Sequence, residues 1–134
     1  MFTRLFNSKS EKKDGLTQVQ REAIVDLLHY CMYADSLITL TETHFIEAKV
    51  ESYNWDPKIS FEYYQGKSIG AARAALANPE TKKKFFESIS QRLKTAEIRN
   101  QAFELCEKLF LADGAKPASE FAVQGEVRKA LGIS

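Results

Sequence analysis

No hydrophobic run in the chain approaches the roughly 20 residues that span a bilayer, so no transmembrane helix is expected. Charge of one sign is missing too: 19 Lys+Arg stand against 18 Asp+Glu, a formal net charge of +1. Without a basic stripe there is no electrostatic footprint for DNA or RNA, and no nucleic-acid partner is expected. Cysteine is scarce. Cys31 and Cys106 are the two in the chain, each inside an apolar helical pattern and neither in a CxxC spacing. They offer neither a zinc site nor a disulfide scaffold, and they suit a reducing, cytoplasmic setting. Gly-x-Ser-x-Gly, a phosphate loop and a Cys/His nucleophile–base arrangement are all missing, so no enzyme class is indicated and no small-molecule substrate suggests itself. No window alternates with the two-residue period of a strand.

What is present is ordinary for a folded domain: 134 residues, 44% hydrophobic and 28% charged. Residues 1–15 read as a flexible basic tail and residues 16–134 as one helical domain. The opening MFTRLFNSKSEKKDG turns polar after six residues, too soon for a secretory signal. Phe2, Leu5 and Phe6 beside Arg4 and several lysines suit weak association with a membrane surface or a protein partner. A frayed, solvated tail is the plainer reading.

From residue 16 onward the periodicity is helical. Thr17 and Gln20 form a capping box, and Val19, Ala23, Ile24, Leu27, Leu28 and Cys31 make one apolar face, with Gln18, Glu22, Asp26 and His29 opposite. Thr39 and Glu42 repeat the capping box before Phe45, Ile46, Val50 and Tyr53, with Asn54 as the stop and Lys49 snorkelling along its stem. Ser60 opens a short "FEYYQ" helix that Gly66 ends, and "SIGAARAALA" forms another. Asn78-Pro79 restarts the chain as a helix bearing Phe85, Phe86, Ile89 and Leu93. A further helix begins at Thr95 and runs through Ile98, Ala102, Phe103, Leu105, Cys106, Leu109 and Phe110. The last, over 118–131, uses Phe121, Val123, Val127, Ala130 and Leu131 and stops at Gly132. The expected fold is an all-α, compact single-domain bundle of about seven helices, two of them short.

Two segments resemble each other. "YADSLITLTE" at residues 33–42 and "LADGAKPASE" at residues 111–120 both close a leucine-rich helix with Ala-Asp and carry a glutamate seven residues after the aspartate. Setting Asp35 over Asp113 aligns residues 23–55 with 101–133 without a gap, matching Leu27/Leu105, Ala34/Ala112, Asp35/Asp113 and Glu42/Glu120. About two identities would arise by chance, so the repeat of classes carries the pseudo-repeated helix-loop-helix more than identity does. Glu42 is explained by the box it forms with Thr39. Glu120 is not, because Pro117 stands three residues before it and has neither a side-chain acceptor nor an amide. An EF-hand frame begun at Asp35 would need ligands from Leu37, Thr39 and Ile46, and one begun at Asp113 from Ala115, Pro117 and Gln124, so neither loop is that motif.

On "YCMYADSLITLTETHFIEAKVESYNW" and "LCEKLFLADGAKPASEFAVQGEVRKALGIS" the chain resembles the TerB-like family of tellurite-resistance proteins. The resemblance implies a compact all-α domain, a non-enzymatic role in tellurite or general stress resistance, and a divalent cation held at an acidic surface. The ligands it implies are Asp35, Glu42, Asp113 and Glu120, and no other cofactor. Ser36 stands where the family pattern has glycine, and Lys116 and Pro117 occupy the second loop. The alternatives are a protein-interaction or scaffold module in which those acids only cap helices and, third, a metal-assisted hydrolase built on the same carboxylates.

Other polar groupings read as surface. Asp26-x-x-His29 and Glu104-x-x-Glu107 occupy equivalent places and have the spacing of bundle metal ligands, but both fall on faces that read as polar. Glu104 with Lys108 makes an ordinary i, i+4 pair. His44 beside Glu42 and Glu47 is an incidental neighbour of acids, and lysines 82–84 form a solvated face. Trp55, Phe61, Tyr63 and Tyr64 line the core, a groove beside it, or a partner-binding patch.

Overall fold

A computed structural model describes residues 14–34, 40–112 and 118–133. The described residues form six helices and no strand: α1 (Gln18–Ala34), α2 (Leu40–Ser52), α3 (Phe61–Ala77), α4 (Pro79–Arg92), α5 (Ala96–Leu111) and α6 (Ala118–Leu131). α1 is the central rod, packed against α2, α3, α4 and α5, while α6 lies on α4 and α5.

Local signals account for the starts of α1, α4 and α5 and for the end of α6. Thr17 Oγ1 accepts from the Gln20 amide at 3.2 Å and Gln20 Oε1 accepts from the Thr17 amide at 2.9 Å, the reciprocal box expected there. Asn78 Oδ1 accepts from the amides of Glu80 and Thr81 at 2.9 and 3.0 Å, with Pro79 in the first helical position. Thr95 Oγ1 accepts from the Ile98 amide at 3.2 Å. α6 ends on Gly132 at φ +71°, with the Ile133 amide reaching back to the Arg128 carbonyl at 3.0 Å. A side chain at that φ would clash with the following backbone, which is why glycine serves.

The expected count of about seven helices is corrected to six among the described residues. The two short helices expected over 60–77 are one: Gly66 and Gly70 both lie inside α3. A helical glycine costs about 1 kcal/mol against alanine. Against that, α3 buries Tyr64, Ser68, Ala72 and Ala75 along the face it turns to the bundle. Tertiary packing outweighs the local break.

The core is built from Ile24, Leu27, Leu28 and Cys31 of α1 with Leu105, Cys106, Leu109 and Phe110 of α5, joined by Ile46, Ile89, Leu93 and Leu131. Burying each large aliphatic side chain contributes about 1.5–3 kcal/mol. The expected apolar faces hold, with two exceptions. Val19 is 51% exposed in the first turn of α1, and Phe121 is 57% exposed at the start of α6. Of the aromatic group, Trp55 packs edge-on against Phe61 at 5.3 Å and lies 5.6 Å from Tyr64, whereas Tyr63 points outward. Lys49 carries its ammonium over the Tyr53 ring at 5.8 Å, as snorkelling requires.

Candidate functional site

The four acids singled out in the two loops divide cleanly. Asp35 and Asp113 lie outside the described residues. Glu42 and Glu120 stand in the first turns of α2 and α6, and they are 0% and 1% exposed. A carboxylate that merely decorates a helix start stays in water; one taken out of water must be compensated by amide groups, by the helix dipole or by a cation. The capping box expected between Thr39 and Glu42 involves a residue outside the described set. The Glu42 charge reaches the α1–α5 core, where it adds to the upward shift of the Cys31 thiol. That shift comes first from a hydrogen bond with Cys106 and next from burial. Both cysteines are free and buried, so they are shielded from solvent, and the raised Cys31 thiol is poorly ionised.

A second polar centre is one that sequence reasoning placed on the surface. Asp26 and His29 are 6% and 0% exposed, which corrects their assignment to a solvated face. The cause is the position of α1: with helices packed around it, the side opposite Leu27 and Leu28 meets α3 and α4 instead of water. Asp26 Oδ1 accepts from Tyr64 Oη at 2.7 Å and from Ser68 Oγ at 2.6 Å. Asp26 Oδ2 accepts from Arg92 Nη2 at 2.8 Å. His29 Nδ1 lies 2.8 Å from Ser68 Oγ. Because the single hydroxyl proton of Ser68 is directed at Asp26, His29 Nδ1 is the donor to Ser68 and Nε2 is the acceptor. That Nε2 is buried with no hydrogen-bond partner among the described residues.

The electrostatics follow from this geometry. Burial pulls the His29 imidazole down to about 4 against the opposing pull of the Asp26 charge, so it is neutral at pH 7. Burial and the adjacent Asp26 carboxylate drive the Tyr64 phenol upward. Burial alone would lower Arg92, but its bond and charge interaction with Asp26 outweigh that and raise it. The centre therefore holds one ion pair, one neutral histidine and two hydroxyls, joining α1, α3 and α4. It opens on one side into a groove of about 490 Å³ between α3 and α4, where Asp26, Tyr64, Ser68 and Arg92 are joined by Lys67 and Lys84.

Two further polar anchors carry structure. Asp14 accepts from Arg21 Nε and Nη2, each at 2.9 Å, and from the amides of Leu16 and Asn54 at 3.0 Å, tying the start of α1 to the end of α2. Burial opposes its ionisation, yet these bonds hold it down at about 2. Glu126 accepts from Tyr30 Oη and, at 2.9 Å, from Lys82 Nζ. Lys82 thus leaves the solvated face assigned to lysines 82–84, while Lys83 and Lys84 remain exposed. His44, Glu47, Glu104 and Lys108 are exposed and Glu107 is half-buried, but the expected Glu104–Lys108 pair does not form an ion pair among the described residues.

Among the described residues no three His, Cys, Asp or Glu side chains converge as a metal site, and no helix is long and apolar enough to cross a membrane. Compared with protein-family models, with curated proteins and with solved structures, the chain matches none.

Proposed function

We propose that this is a non-enzymatic, TerB-like helical domain of the stress-resistance type, binding a divalent cation through the acidic loop–helix junctions at Asp35/Glu42 and Asp113/Glu120. The observation that supports this reading is the burial of Glu42 and Glu120, each in the first turn of its helix. A carboxylate held out of water in a first turn is positioned to act together with a loop aspartate towards a hard cation. Each junction would offer one aspartate from the loop and one glutamate from the helix, with loop carbonyls and water completing the shell of a hard cation.

A second reading, a protein-interaction module without metal, is favoured by apolar residues bordering the same loops. Leu40 is 75% exposed, Leu111 56% and Phe121 57%. Exposed large apolar side chains at the edges of connecting segments suit contact with a partner.

The two readings separate on a titration of calcium, magnesium, manganese and zinc into the labelled protein, followed by amide shifts. The cation reading expects saturable shifts confined to the residues around Glu42 and Glu120, lost at one junction with Asp35→Asn and at the other with Asp113→Asn. Shifts absent for all four ions would refute it. Thermal unfolding of Glu42→Gln in chelator is the control, since a pure capping role predicts a loss of stability with no metal present.

A further inference from the structure

We propose that the groove between α3 and α4 is a binding site for a small organic anion carrying an apolar body. This is independent of the loop–helix junctions and uses none of their residues. One end of the groove is a preset hydrogen-bonding wall: Asp26, Tyr64 and Ser68 are held to one another at 2.6–2.7 Å and are 6%, 9% and 2% exposed. A bundle core gains more stability from apolar packing than from a buried ion pair, so a polar wall at the mouth of a cavity suits recognition better than cohesion.

The charge of the groove selects the ligand. Of its two carboxylates, Asp26 is paired with Arg92 and bonded by Tyr64 and Ser68, while Glu22 keeps its charge and accepts at one oxygen from the side-chain amide of Gln18 at 3.3 Å. Two of its three cations are not paired, and three cations against two carboxylates leave the lining at +1. Lys67 of α3 and Lys84 of α4 are exposed on the groove and form no ion pair among the described residues. Arg92 has five N–H donors and directs one at Asp26 and one at the Ser88 carbonyl. Thr81, in the first turn of α4, adds a hydroxyl at the other end of the groove, about 16 Å along the helix from Arg92. The remainder of the groove is apolar, with Ala71 and Ala74 leaving room opposite Phe85. A carboxylate or phosphate monoester would set its charge between Lys67, Lys84 and Arg92 and lay its body against Ala71, Ala74 and Phe85.

The test uses the full chain with octanoate and phenyl phosphate as the two probes and inorganic phosphate as the ligand lacking an apolar body. Saturable amide shifts at Ser68, Ala71, Ala74, Ser88 and Arg92 are expected with at least one organic probe, with a dissociation constant below about 1 mM. Which probe binds tighter distinguishes carboxylate from phosphate. The double variant Lys67→Gln/Lys84→Gln touches only exposed side chains and should bind roughly three- to tenfold more weakly. Ala74→Trp, also at an exposed position, should abolish binding while the melting temperature is kept. No saturable shift with either organic probe overturns the proposal. So does binding that survives Ala74→Trp or is unchanged in the double lysine variant, and so does inorganic phosphate binding as tightly as phenyl phosphate.

Discussion

Acidification provides the sharpest test of the buried centre on α1. The folded protein holds His29 neutral down to about pH 4, whereas an unfolded chain protonates it near 6.5. The folded value is the depressed one, so the unfolded state takes up the proton first as pH falls. His29 therefore contributes its full stability above pH 6.5, loses it progressively between 6.5 and about 4, and costs nothing further below that. Each pH unit inside the window is worth about 1.4 kcal/mol, giving a total of about 3 kcal/mol, a large share of a typical domain's stability. The Asp14 window lies lower: its stabilisation is present above 3.8 and is lost as pH falls towards about 2. The two are thus separable. Urea unfolding midpoints between pH 7 and 4 would measure the slope, and the imidazole resonances of His29 would give its pKa directly. His29→Asn retains a donor towards Ser68 but cannot titrate; it should be less stable at pH 7 and nearly flat across the window. An imidazole titrating above about 6, or a slope that survives intact in His29→Asn, would refute the reasoning.

Three substitutions probe other links. Gly66→Ala should stabilise by about 1 kcal/mol in denaturant unfolding, because the position is mid-helix and an added Cβ meets nothing; a loss would mean that α3 breaks there. Asn78→Ala removes both cap bonds of α4 and should cost about 1 kcal/mol, about 4 °C in melting temperature for a chain of this size. Arg92→Ala leaves the Asp26 carboxylate buried without its cation and should cost about 3 kcal/mol, with Arg92→Ala/Asp26→Asn losing less than the sum of the single changes in a double-mutant cycle.

The boundaries that were legible in the sequence are those written in local chemistry. Thr17/Gln20, Asn78-Pro79, Thr95 and Gly132 act through bonds within a few residues of themselves, so no knowledge of distant partners is needed. Apolar spacing likewise identifies most of the core, since a helix of any packing must bury that stripe. The same method failed at Gly66, where the deciding contacts of Tyr64, Ser68 and Ala72 are made with other helices. It failed more consequentially at Asp26 and His29. A polar stripe reads as solvated when one face of a helix is assumed to meet water, and a helix surrounded by others violates that assumption. One signal was available: Asp26 and His29 sit one turn apart on the helix that also holds Ala23–Leu28 and Tyr30–Met32, a stretch with little charge otherwise.

For the acidic pair the division is of another kind. Sequence marked Glu42 and Glu120 through a shared interval from an aspartate, and it ruled out a reciprocal cap at Glu120 because of Pro117. Their near-complete burial is a property of how α2 and α6 lie on α1, α4 and α5. By itself, then, the sequence determined the helical class, the caps and the apolar stripes, because those rest on interactions within a turn or two of chain. Only the tertiary structure decided which polar residues leave water and which groove they line, because desolvation and hydrogen bonding at Asp26 depend on Tyr64, Ser68 and Arg92 arriving from elsewhere in the chain.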